Sequence, residues 1–159
     1  MNRLFTEQYI PISLKEAWAF FSSPKNLKIL TPDYMEFEIT SSSYTEKMYP
    51  GQLIAYNVKP LLGIPLNWIT EITHVIDNKY FVDEQRFGPY QLWHHEHHFT
   101  EQDTGVLMTD IVHYKLHWYK GGSVTNAWIV KGQLQKIFNY RNQKIKELWN
   151  PKKYLLREY

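Results

Sequence analysis

The sequence predicts an α+β fold, a curved seven-stranded antiparallel sheet wrapped around a long C-terminal helix, with two short helices after the first strand. Three observations carry this. An alternating segment is followed at once by two short helical patterns; six further segments then read as strands separated by turn signals; and the last long segment repeats apolar residues at steps of three and four. A run of antiparallel strands ending in one amphipathic helix needs that helix to cover the sheet's concave face. A curved sheet around a helix leaves space between the two, where ligand pockets tend to form.

The first strand is Arg3–Ile10, ended by Pro11. Ser13-Leu14-Lys15-Glu16 is a capping-box pattern, and Leu14, Ala17, Trp18 and Phe21 follow at helical spacing. Ser23-Pro24 restarts a second short helix, with Leu27 and Leu30 facing inward and Thr31-Pro32 as its stop. The strands expected next are Met35–Ser41, Gln52–Lys59, Leu66–Ile76, Lys79–Phe87, Tyr90–Glu101 and Val106–Tyr119. Asp77-Asn78, Gly88-Pro89 and Asp103-Thr104-Gly105 supply hairpin turns between the last four. Pro60–Pro65 is an apolar loop that either covers a cavity mouth or packs on the core. The closing helix runs from Val124 to about Leu148, with Ala127, Val130, Leu134, Ile137, Phe138, Arg141, Ile145 and Leu148 in one stripe and Asn150-Pro151 as its end. With no repeat or linker in view, residues 1–159 are expected to form a single domain.

Composition narrows the function. Aromatic residues make up 16% of the chain, a load that suits a cavity wall or a β-rich core. A formal charge of +2, with Lys144, Lys146, Lys152, Lys153 and Arg157 interleaved with apolar residues, argues against nucleic acid as a partner. Gly121-Gly122 is too short a signal for phosphate binding. Cysteine is absent, so neither disulfides nor thiolate chemistry enter. No apolar stretch approaches a membrane span and no signal segment is evident, so the cytoplasm is the expected location. Oligomeric state is left open.

Strand alternation sorts the polar residues by face. Trp93, His95, His97 and Phe99 share one side, with His94, Glu96 and His98 on the other. Met108, Asp110, Val112, Tyr114 and Leu116 share a face in the next strand, as do Phe81, Asp83, Gln85 and Phe87 in the preceding one. Burying such polar groups without partners costs about 1–3 kcal/mol each, and more for a charge. The set is therefore a cross-strand structural network, a polar end that orients a ligand, or an acid–base pair. His95, His97 and Asp110 are the catalytic candidates. Arg141, on the helix stripe, either snorkels, pairs with Asp83 or Asp110, or grips an anionic ligand. His95 and His97 opposite Asp110 could mimic a two-histidine, one-carboxylate metal set, but the pattern is short.

Tyr9-Ile10-Pro11 with Ala17-Trp18, the Leu30-Thr31-Pro32 stop, and Phe81-Val82-Asp83-Glu84-Gln85 leading into Gly88-Pro89-Tyr90 are joined by further motifs. These are Trp93-x-His95-x-His97-x-Phe99, Met108-Thr109-Asp110 with Tyr114, and Ile137-Phe138-Asn139-Tyr140-Arg141. Together they resemble the SRPBCC (START-like, helix-grip) superfamily over nearly the whole chain, in particular a bacterial ligand-binding subgroup near the polyketide cyclase/dehydrase-like proteins. Some relatives look like domains fused to a nucleotide-sugar-epimerase-like partner; the sequence shows none. The resemblance implies a cavity for a small hydrophobic molecule (lipid-, polyketide- or aromatic-like), lined by Asp83, Gln85, Trp93, His95, His97, Phe99, Asp110, Tyr114, Phe138 and Arg141. Pockets of this superfamily are usually metal-free, so no metal and no cofactor are expected. The alternatives are a cyclase- or dehydratase-type enzyme using the same residues, and a protein-interaction module with a vestigial cavity.

Overall fold

The computed structural model describes residues 1–41, 47–59, 63–116 and 124–149, the side chains of 124–127 excepted. Strand β1 (Asn2–Ile10) leads into helix α1 (Leu14–Phe21), whose Ser13 hydroxyl accepts from the Glu16 amide at 3.2 Å. A 3₁₀ turn at Pro24–Asn26 runs into α2 (Leu27–Leu30). The chain continues through β2 (Glu38–Ile39), β3 (Gln52–Val58), β4 (Leu66–Ile76), β5 (Tyr80–Phe87), β6 (Tyr90–Gln102) and β7 (Gly105–Leu116) to helix α3 (Val124–Leu148). The seven strands form one antiparallel sheet in the order β1-β7-β6-β5-β4-β3-β2.

Two local expectations change. The segment from Met35 opens with a 3₁₀ turn at Asp33–Met35, and Glu36 sits at φ 44°, so only Glu38–Ile39 pair as strand. Second, β4 and β5 slip register between Ile69 and Thr70 and again between Ile72 and His74. Such bulges bend a sheet and increase its twist. At the far end of β5, Phe87 is 60% exposed although it shares parity with buried Phe81. The tight turn into β6 needs Gly88, at φ 154°, where a Cβ would lie 2.6 Å from Gln85 Oε1. The loop at 60–62, the strand end at 117–119, Gly121-Gly122, Ala127's side chain and the Asn150-Pro151 stop lie outside the described residues.

The core fills the concave side at one end. Ile10, Trp18, Phe81, Phe99, Val106, Met108 and Ile145 join α1, the β1/β7/β6 end of the sheet and the last turns of α3. Trp18 meets Phe81 and Phe99 edge-on at centroid separations of 6.1 and 5.6 Å, the arrangement aromatic quadrupoles favour. Val112, Tyr114, Leu134 and Phe138 form a second cluster where the sheet meets the middle of α3. Within the described part of α3, Leu134, Phe138, Arg141 and Ile145 are buried in steps of four, three and four. That stripe lays the helix along the sheet. No described helix is long and apolar enough to cross a membrane.

Candidate functional site

Between α3, α1–α2 and strands β3 to β6 lies a cavity of about 180 Å³. Its apolar walls include Phe21, Leu30, Ile54, Trp68, Ile72 and Phe138. Polar residues line it beside α1–α2 at Ser23, Asn26 and Thr31, and on the sheet side in two places. Tyr56 and Thr70 pair their hydroxyls at 2.9 Å on β3 and β4, and Asp83, His95, His97 and Arg141 gather at the β5/β6 side. Trp68 is 8% exposed, and its indole Nε1 has no hydrogen-bond partner among the described residues.

The charged group follows from register. Asp83 on β5 lies directly opposite His95 on β6, and His97 directly opposite Asp110 on β7. The two pairs sit one inward step apart, so four side chains form a square on the concave face. His95 places Nδ1 3.3 Å from Asp83 Oδ2 and Nε2 3.1 Å from Asp110 Oδ1. His97 places Nε2 2.9 Å from Asp83 Oδ2 and Nδ1 2.8 Å from Asp110 Oδ1. The imidazole centroids are 3.7 Å apart, and Phe81 stacks on His97 at 4.2 Å. From above, α3 lowers Arg141, whose Nη2 lies 3.3 Å from Asp110 Oδ1. Its guanidinium stands over the rings of Phe21 and Phe138 at 5.8 and 6.0 Å. Trp93 Nε1 donates to the other Asp83 oxygen, Oδ1, at 3.3 Å.

Burial is nearly complete: His95, His97, Asp110 and Arg141 are 5%, 6%, 4% and 7% exposed, so the charges interact at low dielectric. Desolvation alone would raise both carboxyls. For Asp83 the neighbouring His95 and His97 outweigh it and hold the group below the usual carboxylate range; for Asp110, Arg141 and the same imidazoles do so more strongly. The two histidines diverge. Desolvation opposes charge on His95, yet Asp83 and Asp110, one at each ring nitrogen, push its pKa up. On His97, desolvation and the charge on adjacent His95 win over the same carboxylates and push it down. With His95 protonated and His97 neutral, the charges of Asp83, Asp110, Arg141 and His95 cancel.

Of the residues singled out from the sequence, Asp83, Trp93, His95, His97, Phe138 and Arg141 line the cavity. Asp110 stands behind the histidines, and Phe99 and Tyr114 belong to the core clusters. Gln85 bridges the β5–β6 turn instead, donating to Tyr90 O at 2.7 Å and accepting from its amide at 3.1 Å. Sequence reasoning passed over Trp68, Tyr56 and Thr70. Alternation in Leu66–Ile76 puts Trp68 and Thr70 on one face, but an apolar face gives no sign of which member lacks a partner. The outer-face histidines are occupied locally, His94 by Glu84 at 2.8 Å and His98 by Glu96 at 2.9 Å.

No protein-family model matches the chain, and no curated protein does. Solved structures do. Protein Ms6760 from Mycobacterium smegmatis superposes with a TM-score of 0.67 at 19% identity, over 92% of this chain and 89% of that one. Ginseng major latex-like protein 151 from Panax ginseng gives 0.63 at 11% identity, over 94% and 98%. The nucleoside-diphosphate sugar epimerase from Corynebacterium glutamicum gives 0.62 at 20% identity over 91% of this chain, which spans only 28% of that protein. Identities this low establish a shared architecture: a seven-stranded antiparallel sheet gripping a C-terminal helix, with short helices after the first strand.

Proposed function

We propose that this chain, whose architecture is the helix-grip fold of the SRPBCC superfamily, binds a small, mostly apolar molecule carrying one oxygen function. The observation that carries the reading is the cavity's asymmetry: an aromatic and aliphatic enclosure with a charged cluster at one side. Apolar walls supply affinity by excluding water, and a few placed polar groups fix orientation. Trp68 contributes aromatic wall, while Asp83 and His97 lie where a ligand hydroxyl would be met. At about 180 Å³ the cavity takes a compact molecule, such as a short acyl chain or one or two aromatic rings.

The test is native mass spectrometry of the purified protein with identification of what co-purifies, followed by titration watched by Trp fluorescence. A true ligand raises Tm as well, because it binds only the native state. Trp68→Phe is the diagnostic variant. It trims an aromatic wall packed against Tyr56, Tyr90 and Trp93, so the empty protein should lose about 1–2 kcal/mol, while ligand affinity falls about five- to tenfold. If the variant bound as tightly as the parent, the indole would not meet the ligand.

A second reading has its own support. Two titratable rings pushed in opposite directions within one cavity wall are how an acid and a base are set apart. A cyclase- or dehydratase-type reaction would use neutral His97 as base, with Asp110 accepting its Nδ1–H and a substrate proton displacing the Nε2 contact to Asp83. Turnover of the co-purifying molecule, abolished in His97→Gln with binding retained, separates this from binding alone.

A further inference from the structure

The square of two imidazoles and two carboxylates makes four nitrogen–oxygen contacts of 2.8–3.3 Å. Filling all four with N–H donors needs two adjacent imidazolium rings whose centroids are 3.7 Å apart, a close like-charge pair. The geometry offers another solution. Asp110 Oδ1 faces one nitrogen of each ring, His95 Nε2 and His97 Nδ1. If those two nitrogens carry the protons, both rings are neutral, Asp110 accepts from each, and Arg141 Nη2, 3.4 Å from His97 Nδ1, donates to Asp110 alone. The remaining nitrogens, His95 Nδ1 and His97 Nε2, then turn their lone pairs toward one oxygen, Asp83 Oδ2, at 3.3 and 2.9 Å. A proton on His95 relieves the repulsion among these three lone pairs in the metal-free protein, and a metal cation among them would do so by taking all three.

We propose that Asp83 Oδ2, His95 Nδ1 and His97 Nε2 are the ligands of a divalent first-row transition ion, with its open positions facing the cavity. One donor atom from each of these residues lies within 4.8 Å of the others. Metal–donor distances of about 2.0–2.2 Å put two donors about 3.0 Å apart at a right angle and about 3.4 Å apart at the tetrahedral angle. The contacts to Asp83 Oδ2, 2.9 and 3.3 Å, match those two spacings. The outer partners match as well. A metal-bound histidine donates its other N–H to a carboxylate, which fixes tautomer and aim, and Asp110 serves both rings in this way. Trp93 Nε1 holds Asp83 by Oδ1, leaving Oδ2 free to turn inward. Arg141 offsets the charge of Asp110, so the ion meets one uncompensated carboxylate. This site uses Asp83 rather than Asp110, the pairing that strand alternation alone suggested. An N₂O donor set suits Zn²⁺, Fe²⁺ or Co²⁺, and the open positions would take an oxygen donor from whatever fills the cavity. The site does not depend on the identity of that occupant.

The test needs no organic ligand. Chelator-treated protein is titrated with Co²⁺ by its visible d–d absorption, then with Zn²⁺ as competitor. One Co²⁺ per chain, displaced by Zn²⁺, is the expected result. Asp83→Asn should weaken binding by at least about 100-fold, and Asp110→Asn, acting through both rings, by about 10–100-fold. The combined His94→Ala and His98→Ala variant alters only the outer face of β6 and should keep affinity within about twofold. Absence of Co²⁺ uptake overturns the proposal. So does uptake that survives Asp83→Asn but disappears with His94 and His98, which would place the ion on the outer face. Should Asp83→Asn fail to fold by circular dichroism, the wild type decides alone. Its Co²⁺ form should show two hyperfine-shifted, slowly exchanging proton resonances, from His95 Nε2–H and His97 Nδ1–H. None, or one, refutes the arrangement.

Discussion

Arg141→Met tests what the guanidinium contributes, because methionine keeps an unbranched apolar stem while deleting the charged group that stands over Phe21 and Phe138. Asp110, 4% exposed, would then be a buried carboxylate facing only the two imidazoles. Removing one partner of a buried pair costs about 3–5 kcal/mol. Two details pull toward the low end. The Nη2–Oδ1 separation is 3.3 Å, and Arg141 Nε is itself buried with no partner among the described residues, so its removal returns part of a desolvation cost. The expected loss is about 3 kcal/mol. Asp110→Asn removes the charge that the guanidinium answers, so the double variant should lose less than the two single losses added, with a coupling of about 1–2 kcal/mol. Urea unfolding with a chelator present measures all four proteins, and an unchanged m-value keeps the comparison valid. Arg141 also leads the influences holding Asp110's carboxyl down. The Arg141→Met protein should therefore lose stability at a higher pH on acidification than the parent. A loss under about 1 kcal/mol with no coupling would mean that the guanidinium is not part of the network.

Two further outcomes test the frame. In metal-free protein the depressed Asp83 and Asp110 contribute stability that is full above their unfolded pKa of about 3.9 and lost as pH falls through their native values. His97, also depressed, adds stability lost on acidification below about 6.5; raised His95 contributes stability present below about 6.5 and lost as pH climbs through its native pKa. Urea midpoints across pH should thus peak near neutrality with a steep limb below about pH 4, and a profile that stays flat from about pH 4 to 2 would show that the carboxylates are not ionised and paired. Deleting α3 and everything after it removes the buried side chains of Leu134, Phe138 and Ile145, each about 1.5–3 kcal/mol of burial, and strips the cover from the concave face. Against a total stability of about 5–15 kcal/mol that should abolish cooperative unfolding, and a sharp melt would show the helix to be an appendage.

How far the sequence disclosed this molecule depends on which physical signal is local. Periodicity is local, and it placed β4, β5, β6 and α3 within a residue or two of their observed ends. It also put His95, His97 and Phe99 on the inner face, where all three are buried. The short β2 was harder, because Met35 and Phe37 are buried by packing in a 3₁₀ turn and an irregular stretch, and apolar content alone reads as strand. The position of Phe87 and the role of Gln85 depend on bulges and a tight turn, which alternation does not anticipate. Within the site, inward faces were legible but register was not. Which histidine faces which carboxylate is set by the β5–β6 and β6–β7 turns acting over several residues.

Register also separates the two carboxylates. A slip of one residue between β5 and β6 or between β6 and β7 would turn an aspartate to the outer face and leave an imidazole facing apolar side chains. The network therefore penalises every wrong pairing of the three strands, a specificity role available even where net stability is near zero. Both aspartates could serve that role equally well from the dry interior, yet only one is dry. Asp110 is 4% exposed, capped by Arg141 and absent from the cavity wall; Asp83 retains 16% exposure of its side chain and lies in that wall, with His95 and His97 beside it. The asymmetry assigns the two carboxylates different work. On the binding reading proposed above, Asp110 and Arg141 hold the imidazoles in place from behind, and Asp83 is the member able to exchange its partners for something that enters the cavity.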